Sequence, residues 1–334
     1  MREQRPPACA ILGDGAFGTA FATLLTNNGH RTLLWCFNED VAQNIRENQE
    51  NRRFLPGIKL PSAIEPITNI AEACAAPWIF IATPVPFMRS ILKQCTPFAK
   101  AHQSWVCLNK GIEQGTLCLP TEIIAQEIGP RAKNAVLSGP SFARDIATAQ
   151  PTVVSVASKN KRLASNLASL LNNTFFACVV SNDPIGTQYA GALKNGCAIG
   201  TGILAGAGYG HNTQVRFALQ YLEEIKALVL ASGGKWATLY SPATIGDVIL
   251  SCFTVQSRNY RFGLSIGKGE TTSESLNGPH RPTIEGVNTL LALQQLETKH
   301  GFYLPLSIAL TEIVEGRAAP QTLIDTLCSR IYLS

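Results

Sequence analysis

A short apolar run, Cys9 to Leu12, leads straight into Gly13-Asp14-Gly15-Ala16-Phe17-Gly18, and a helical pattern over Ala16–Asn28 starts inside that turn. No other feature of the chain constrains its fold as strongly. Glycines at this spacing have separate tasks. Gly13 allows a tight turn, Gly15 lets backbone approach a pyrophosphate, and Gly18 permits close packing of helix on strand. The pyrophosphate would lie at the positive end of the helix that follows. Three glycines alone would suit an ordinary turn. Their place after a strand, opening a helix inside a strand–helix–strand unit, points instead to a dinucleotide site.

The rest of the first half repeats this alternation. Cys9–Leu12, Thr32–Cys36, Trp78–Ala82, Trp105–Asn109 and Ala135–Ser138 read as strands. Their nearly unbroken apolar character suits strands covered by helices on both faces. Thr152–Ala157 and Phe175–Val180, flanking a helix over Arg162–Leu171, are expected to extend the sheet. The fold class is therefore α/β, with a Rossmann-type doubly wound parallel sheet. Beyond Ser181-Asn182-Asp183 helical patterns take over: 188–204, 212–231, 245–252, 287–300 and 306–315. The expected division is a dinucleotide-binding domain over 1–182 and a mostly α-helical substrate-binding domain over 183–334. The polar, glycine-containing segment 263–282 is expected to be a mobile loop.

Composition narrows the function classes. With 46% apolar and 15% charged residues the chain is an ordinary globular one. The net charge of +5 favours an anionic substrate, but the 28 basic residues are dispersed, which argues against nucleic acid. Ten cysteines occur without CxxC spacing, as expected of buried free thiols in a reducing compartment, and no metal site is expected. The apolar run at Ala8–Leu12 is too short for a secretory signal, and no stretch of about 18 apolar residues suggests a membrane span. Cofactor choice stays open. The second strand ends in Trp35-Cys36-Phe37-Asn38, without the acid that usually receives an NAD ribose, and Glu39 and Asp40 come slightly late. Arg52 and Arg53 would suit a 2′-phosphate, or simply be a solvated pair.

Further segments run in order along the chain: GDGAFGTA (13–20), NGHRTLLW (28–35), NRRFLPGI (51–58), NKGIE (109–113), SGPSFARDIA (138–147), ALKNGCAIG (192–200), GDVILSC (246–252), QSRNYRFG (256–263) and IEG (284–286). Together they resemble the bacterial, cytosolic NAD(P)-dependent glycerol-3-phosphate dehydrogenase family. The resemblance implies hydride transfer between NAD or NADP and dihydroxyacetone phosphate, giving sn-glycerol 3-phosphate for glycerophospholipid synthesis. It also implies a cytoplasmic homodimer with a substrate cleft between its domains.

Each matched polar residue has chemistry to suit. Reducing a ketone develops an alkoxide, which needs a proton donor and electrostatic stabilisation. A lysine serves both if its pKa falls from about 10.4 toward the working pH, through burial or a neighbouring cation. Lys194, in an apolar helical segment and followed by Asn195, is the expected acid–base residue; a lysine snorkelling from a helix face is the plainer alternative. Lys110 follows a parallel strand, where ligands bind such sheets, and is expected to touch substrate and cofactor. Asp247 is expected to hold Lys194, or to cap the helix 248–252, or both. Ser257, Arg258 and Asn259 form the expected phosphate clamp, with Arg258 also near the cofactor. Gly139 and Ser141 are expected at the substrate. Cofactor contacts are expected from Gly13, Gly15, Ala16, Phe17, Gly18 and Ala143, with Glu285 near the nicotinamide end.

The chain also departs from the family. Ala16 stands where serine is common, Cys36 and Phe37 where His or Arg often follows, and Ser251 where threonine is usual. Leu219, Gln220 and Tyr221 replace a Thr-Arg-Gly triplet. None of these removes the lysines, Asp247 or Arg258, so an active enzyme is expected. The alternatives are a weakened NAD(P)H-binding relative, and a dehydrogenase of another phosphorylated ketone or hydroxy acid.

Overall fold

In the computed structural model, residues 8–276, 284–301 and 303–329 are described. The chain forms two compact units, one of residues 1–109 and 120–184, the other of 110–119 and 185–334. The segment Lys110–Leu119 thus packs with the second unit although the chain on either side of it belongs to the first. Ile112 and Leu119 explain why: both are buried in the second unit's apolar core.

The first unit alternates β1 (Cys9–Leu12), α1 (Ala16–Asn27), β2 (Thr32–Trp35), α2 (Glu39–Asn48), β3 (Ile64–Ile67), α3 (Ile70–Ala73), β4 (Trp78–Ile81), α4 (Val85–Cys95) and β5 (Ser104–Cys107). It continues through α5 (Pro120–Glu127), β6 (Lys133–Ser138), α6 (Ala143–Ala147), β7 (Thr152–Ala157), α7 (Lys161–Leu171) and β8 (Phe176–Ser181). The strands form one eight-stranded sheet in the order β3-β2-β1-β4-β5-β6-β7-β8. All neighbours run parallel except β6 and β7. Every residue of β1, β2 and β5 is buried, as strands covered on both faces must be. β3, with Glu65 and Pro66, was not expected as a strand. It lies at the sheet edge, where a proline costs no ladder bond, and Arg31 holds Glu65 at 2.6 Å.

The order reverses between β1 and β4, which opens the crevice beyond their carboxyl ends where dinucleotides bind such sheets. The glycine turn stands at that crevice. Gly13 has φ +125°, and a Cβ there would lie 3.1 Å from the Ala82–Thr83 backbone. At Gly18 a Cβ would lie 2.0 Å from the Gly13 carbonyl oxygen, so only glycine lets α1 sit this close to its strand. Around Gly15 the space is open.

The second unit is helical: α8 (Pro184–Gly206), α9 (His211–Ala231), α10 (Asp247–Cys252), α11 (Arg258–Gly267), α12 (Thr272–Leu276), α13 (Glu285–His300), α14 (Pro305–Val314) and α15 (Gln321–Cys328). The expected loop over 263–282 is corrected here. Residues 263–267 complete α11 and 272–276 form α12, while 277–282 lie outside the described residues. The glycines that suggested a loop are packing surfaces. Cβ atoms on Gly263 and Gly267 would lie 2.1 Å from the carbonyl oxygens of Ile199 and Ile203 on α8.

Candidate active site

Charge converges on Asp247, which is 1% exposed. Its Oδ1 accepts from Lys194 Nζ at 3.0 Å, and its Oδ2 accepts from Lys110 Nζ. Ser251, one turn along α10, accepts from Lys194 at 2.8 Å and donates to Asp247 Oδ1 at 3.2 Å. One carboxylate therefore joins two ammoniums, from α8 and from the 110–119 segment. Asp247 is not the helix cap that was the alternative. Residues 242–246 form a π turn that runs directly into α10, and Asp247 has helical dihedrals, so the carboxylate points to its lysines rather than to a helix end.

The electrostatics follow from burial. Desolvation pushes the Lys110 ammonium below its ordinary value, and the charge of Lys194 pushes the same way, against the pull of Asp247. For Asp247 burial acts upward, but Lys110 and Lys194 outweigh it and hold the carboxyl below the usual range. Glu285, at the start of α13, is pushed up by burial, with Arg258, Lys194 and Lys110 opposing. Five charged residues from five segments of the second unit thus share one field.

Asn195 adjoins this group at 2% exposed. Its Oδ1 accepts from Asn259 Nδ2 at 2.9 Å, and Asn259 Oδ1 accepts from the Gly286 amide at 3.1 Å. The Asn195 Nδ2 is buried and has no partner among the described residues. The expected Ser257-Arg258-Asn259 triplet is divided by the structure. Ser257 caps α11 by accepting from the Tyr260 amide, and Asn259 is engaged with Asn195 and Gly286. Arg258, exposed at the first position of α11, lies near enough to Glu285 for its charge to act on that carboxyl. Gly139 and Ser141 lie in the first unit, beyond β6. Gly139 has φ +154° and packs so close to Val154 that a Cβ would lie 2.9 Å from its Cα, and Ser141 Oγ donates to the Gly139 carbonyl at 2.8 Å. Ala143 opens α6, which packs on α1, and Phe17 stacks on Phe21 along α1.

The first unit fits a dinucleotide on its own evidence. Among the described residues, buried polar atoms without partners include Asp14 Oδ2, Thr83 Oγ1, Asn109 Oδ1 and Ser138 Oγ. These residues stand at the carboxyl ends of β1, β4, β5 and β6, the side on which such sheets bind ligands. Orphaned buried groups are uncommon and call for a partner. The open space at Gly15, where α1 begins, completes a cradle that backbone amides line. Gly13, Gly15, Ala16, Phe17 and Gly18 would hold the pyrophosphate.

A family model described as NAD-dependent glycerol-3-phosphate dehydrogenase N-terminus matches residues 8–164, and its C-terminus counterpart matches 183–325. The chain belongs to this family. Members similar to it include the glycerol-3-phosphate dehydrogenase [NAD(P)+] of Parvibaculum lavamentivorans, 36% identical and covering 97% of each chain. That of Bacillus subtilis is 34% identical over 96% of this chain and 93% of its own. The crystal structure of the Coxiella burnetii glycerol-3-phosphate dehydrogenase superposes with a TM-score of 0.92 at 31% identity, covering 97% of this chain and 99% of that one. As a member of the glycerol-3-phosphate dehydrogenase family the chain is an NAD(P)-dependent oxidoreductase with a Rossmann fold. No helix among the described residues is long and apolar enough to cross a membrane, and they hold no cluster of metal-ligating side chains.

Ser251, a serine where threonine is usual in the family the chain resembles, sits between Lys194 and Asp247. Its signal was the i, i+4 spacing from Asp247, which places both on one helix face. Asp14 gave no sign of its own beyond being an acid inside a glycine turn.

Proposed function

We propose that the chain interconverts dihydroxyacetone phosphate and sn-glycerol 3-phosphate with a nicotinamide cofactor, supplying glycerophospholipid synthesis. The observation that carries this is the buried Lys110–Asp247–Lys194 bridge completed by Ser251. When bound, the reduced nicotinamide supplies the hydride. The protein's share is to hold the ketone and to meet the charge that develops on its oxygen. Two ammoniums against one carboxylate leave a net positive charge for that oxygen. Lys194 donates the proton, and Ser251 and Asp247 fix its amine. Lys110 adds charge whose proton burial has already loosened. Asn195 offers its unpartnered Nδ2 to a substrate hydroxyl or carbonyl. Arg258 and the first amides of α11 hold the phosphate, as a guanidinium fork at a helix N-terminus is suited to do. Glu285 is assigned to the nicotinamide end, Gly139 and Ser141 to substrate, and Ala143 to the cofactor. The homodimer and the cytoplasmic location implied by the resemblance belong to the same proposal.

The test is oxidation of NADH and of NADPH by the purified protein with dihydroxyacetone phosphate, beside Lys194→Ala and Arg258→Ala. The lysine variant loses kcat by about 10²- to 10⁴-fold. The arginine variant raises KM by about 10- to 100-fold, the worth of one or two charge-assisted hydrogen bonds. An unaltered protein that binds cofactor but turns over neither it nor the ketone is the weakened relative instead. Full activity in Lys194→Ala removes only the assigned proton donor.

A further inference from the structure

The usual acid for an NAD ribose ends the second strand, and here that position is empty. Cys36, Phe37 and Asn38 follow β2, Glu39 is held by Arg46 at 2.6 Å and by Thr68 at 3.0 Å, and Asp40 faces Arg53 at 3.5 Å. The glycine turn brings another carboxylate to the same place. The Gly13 amide donates to the Trp35 carbonyl at 3.2 Å, which ties residue 13 to the last residue of β2. The carbonyl of Asp14 accepts from Asn51 Nδ2 at 2.7 Å and from Thr19 Oγ1 at 3.2 Å, so the residue is fixed from two sides. Its side chain lies within the electrostatic reach of Cys36 and Asn38, the residues just beyond β2. Asp14 is 7% exposed, and its Oδ2 has no partner among the described residues. An acceptor-only oxygen in that state lacks a donor, and a ribose hydroxyl is one.

The arginines nearby are already matched. Arg46 meets Glu39, Arg52 meets Glu50 at 3.3 Å, and Arg53 meets Asp40. None of the three stands as an unopposed cation for a 2′-phosphate, which would also have to lie beside the Asp14 carboxylate. We infer that Asp14 takes the place of the missing strand-end acid: it accepts from the adenosine ribose of the cofactor and makes the site select NAD over NADP. This rests on the proposed dinucleotide site and specifies its adenosine end. Burial holds the carboxyl above its ordinary value, and the amides of Asp14 and Asn38 and the charge of Arg53 draw it back. A hydroxyl donor would add to that second group, whereas a phosphate would oppose it.

The experiment is equilibrium binding of NADH and NADPH, read by nicotinamide fluorescence without substrate, with 5′-AMP and 2′,5′-ADP as competitors for the adenosine end. The unaltered protein binds NADH at least about tenfold more tightly than NADPH, and 5′-AMP competes better than 2′,5′-ADP. Asp14→Asn keeps the shape and removes the charge. It brings the two affinities closer, mainly by tightening NADPH, and raises the standing of 2′,5′-ADP. Equal or tighter NADPH binding by the unaltered protein overturns the inference and needs no variant. So does an unchanged ratio in a folded Asp14→Asn protein. Absence of binding by either nucleotide overturns the dinucleotide site itself, and the inference with it.

Discussion

At the scale of single residues the site works by sharing. Asp247 is 1% exposed and serves two lysines, so removing the carboxylate leaves two buried ammoniums uncompensated, whereas removing one lysine leaves a neutral pair. Ser251 is the least costly member to remove, and its loss tests whether the Lys194 amine must be held. We expect Ser251→Ala to lower kcat by roughly tenfold with little change in KM, since a neutral hydrogen bond to a charged group contributes about 1.5–3 kcal/mol at most. Ser251→Thr restores the rate. Steady-state kinetics on the three proteins check this. A fall in KM-limited rate alone, or no rescue by threonine, removes Ser251 from the chemistry. Much of this cluster was legible beforehand. Lys194 and Asp247 stand out as charges in apolar segments, where a charge needs a partner. Ser251 did not stand out, because a serine in a helix is unremarkable until its i−4 neighbour is known to be ionised. Asp14 was hidden for another reason: the search for a ribose acid follows the strand end, and this one comes from the adjacent turn.

At the scale of elements, the helices that carry the site are positioned by contacts that leave no spare volume. α8 bears Lys194 and Asn195, α11 bears Arg258 and Asn259, and the two cross where Gly202 and Gly206 face Gly263 and Gly267. A Cβ on Gly263 would lie 2.1 Å from the Ile199 carbonyl oxygen, so Gly263→Ala must push the helices apart. We expect it to cost about 1–3 kcal/mol in stability and to lower activity by separating Asn195 from Asn259, measured by denaturant unfolding and by rate. The strands were readable from their unbroken apolar runs, but this crossing was not. In one dimension the glycines look like a loop, and only the neighbouring helix shows why they are needed.

A second element has a titrating cap. The amides of Leu306 and Ser307, in the first turn of α14, donate to Glu224 from α9 at 2.6 and 3.1 Å, and Ser307 Oγ donates at 2.8 Å. Ser307 Oγ also meets the Tyr221 hydroxyl at 3.3 Å, so the tyrosine joins this buried network. Burial outweighs those donors and raises Glu224 to about 7, and Glu297, which accepts from the Leu304 amide, is likewise raised by burial to about 7. A folded pKa above the unfolded value means that the native state binds the extra proton. Its stabilisation is full below about 4.5 and is lost as pH rises through 7. Glu224→Gln should flatten this loss by on the order of 1–3 kcal/mol, leaving a smaller slope of the same sign from Glu297. Unfolding free energies at pH 5 and pH 8, on roughly that scale of difference, decide it. An unchanged slope would show that Glu224 stays ionised throughout.

At the scale of the whole molecule the chain carries two apolar cores, and its orphaned polar atoms are unequally divided between them. Among the described residues, those of the first unit gather beyond β1, β4, β5 and β6, apart from Thr26 Oγ1 on α1, while those of the second unit are Asn195 Nδ2 on α8 and Gln214 Oε1 and Gln220 Nε2 on α9. A dinucleotide that supplies the partners missing beyond those strands must therefore stabilise the first unit most. Binding to the native state alone contributes about 2.7 kcal/mol at a hundredfold excess over Kd, and that gain appears where the contacts form. We expect NADH, added without substrate, to slow amide exchange in the segments around Gly13–Gly18, Cys36–Asn38, Thr83 and Asn109, with α9 and α14 changed much less. Exchange followed by mass spectrometry separates the two units directly, because Glu224 and the α14 cap report on the second and the glycine turn on the first. Equal protection in both units would mean that cofactor binding is felt through the whole chain, and that the unpartnered atoms beyond the strands are not where its energy is delivered.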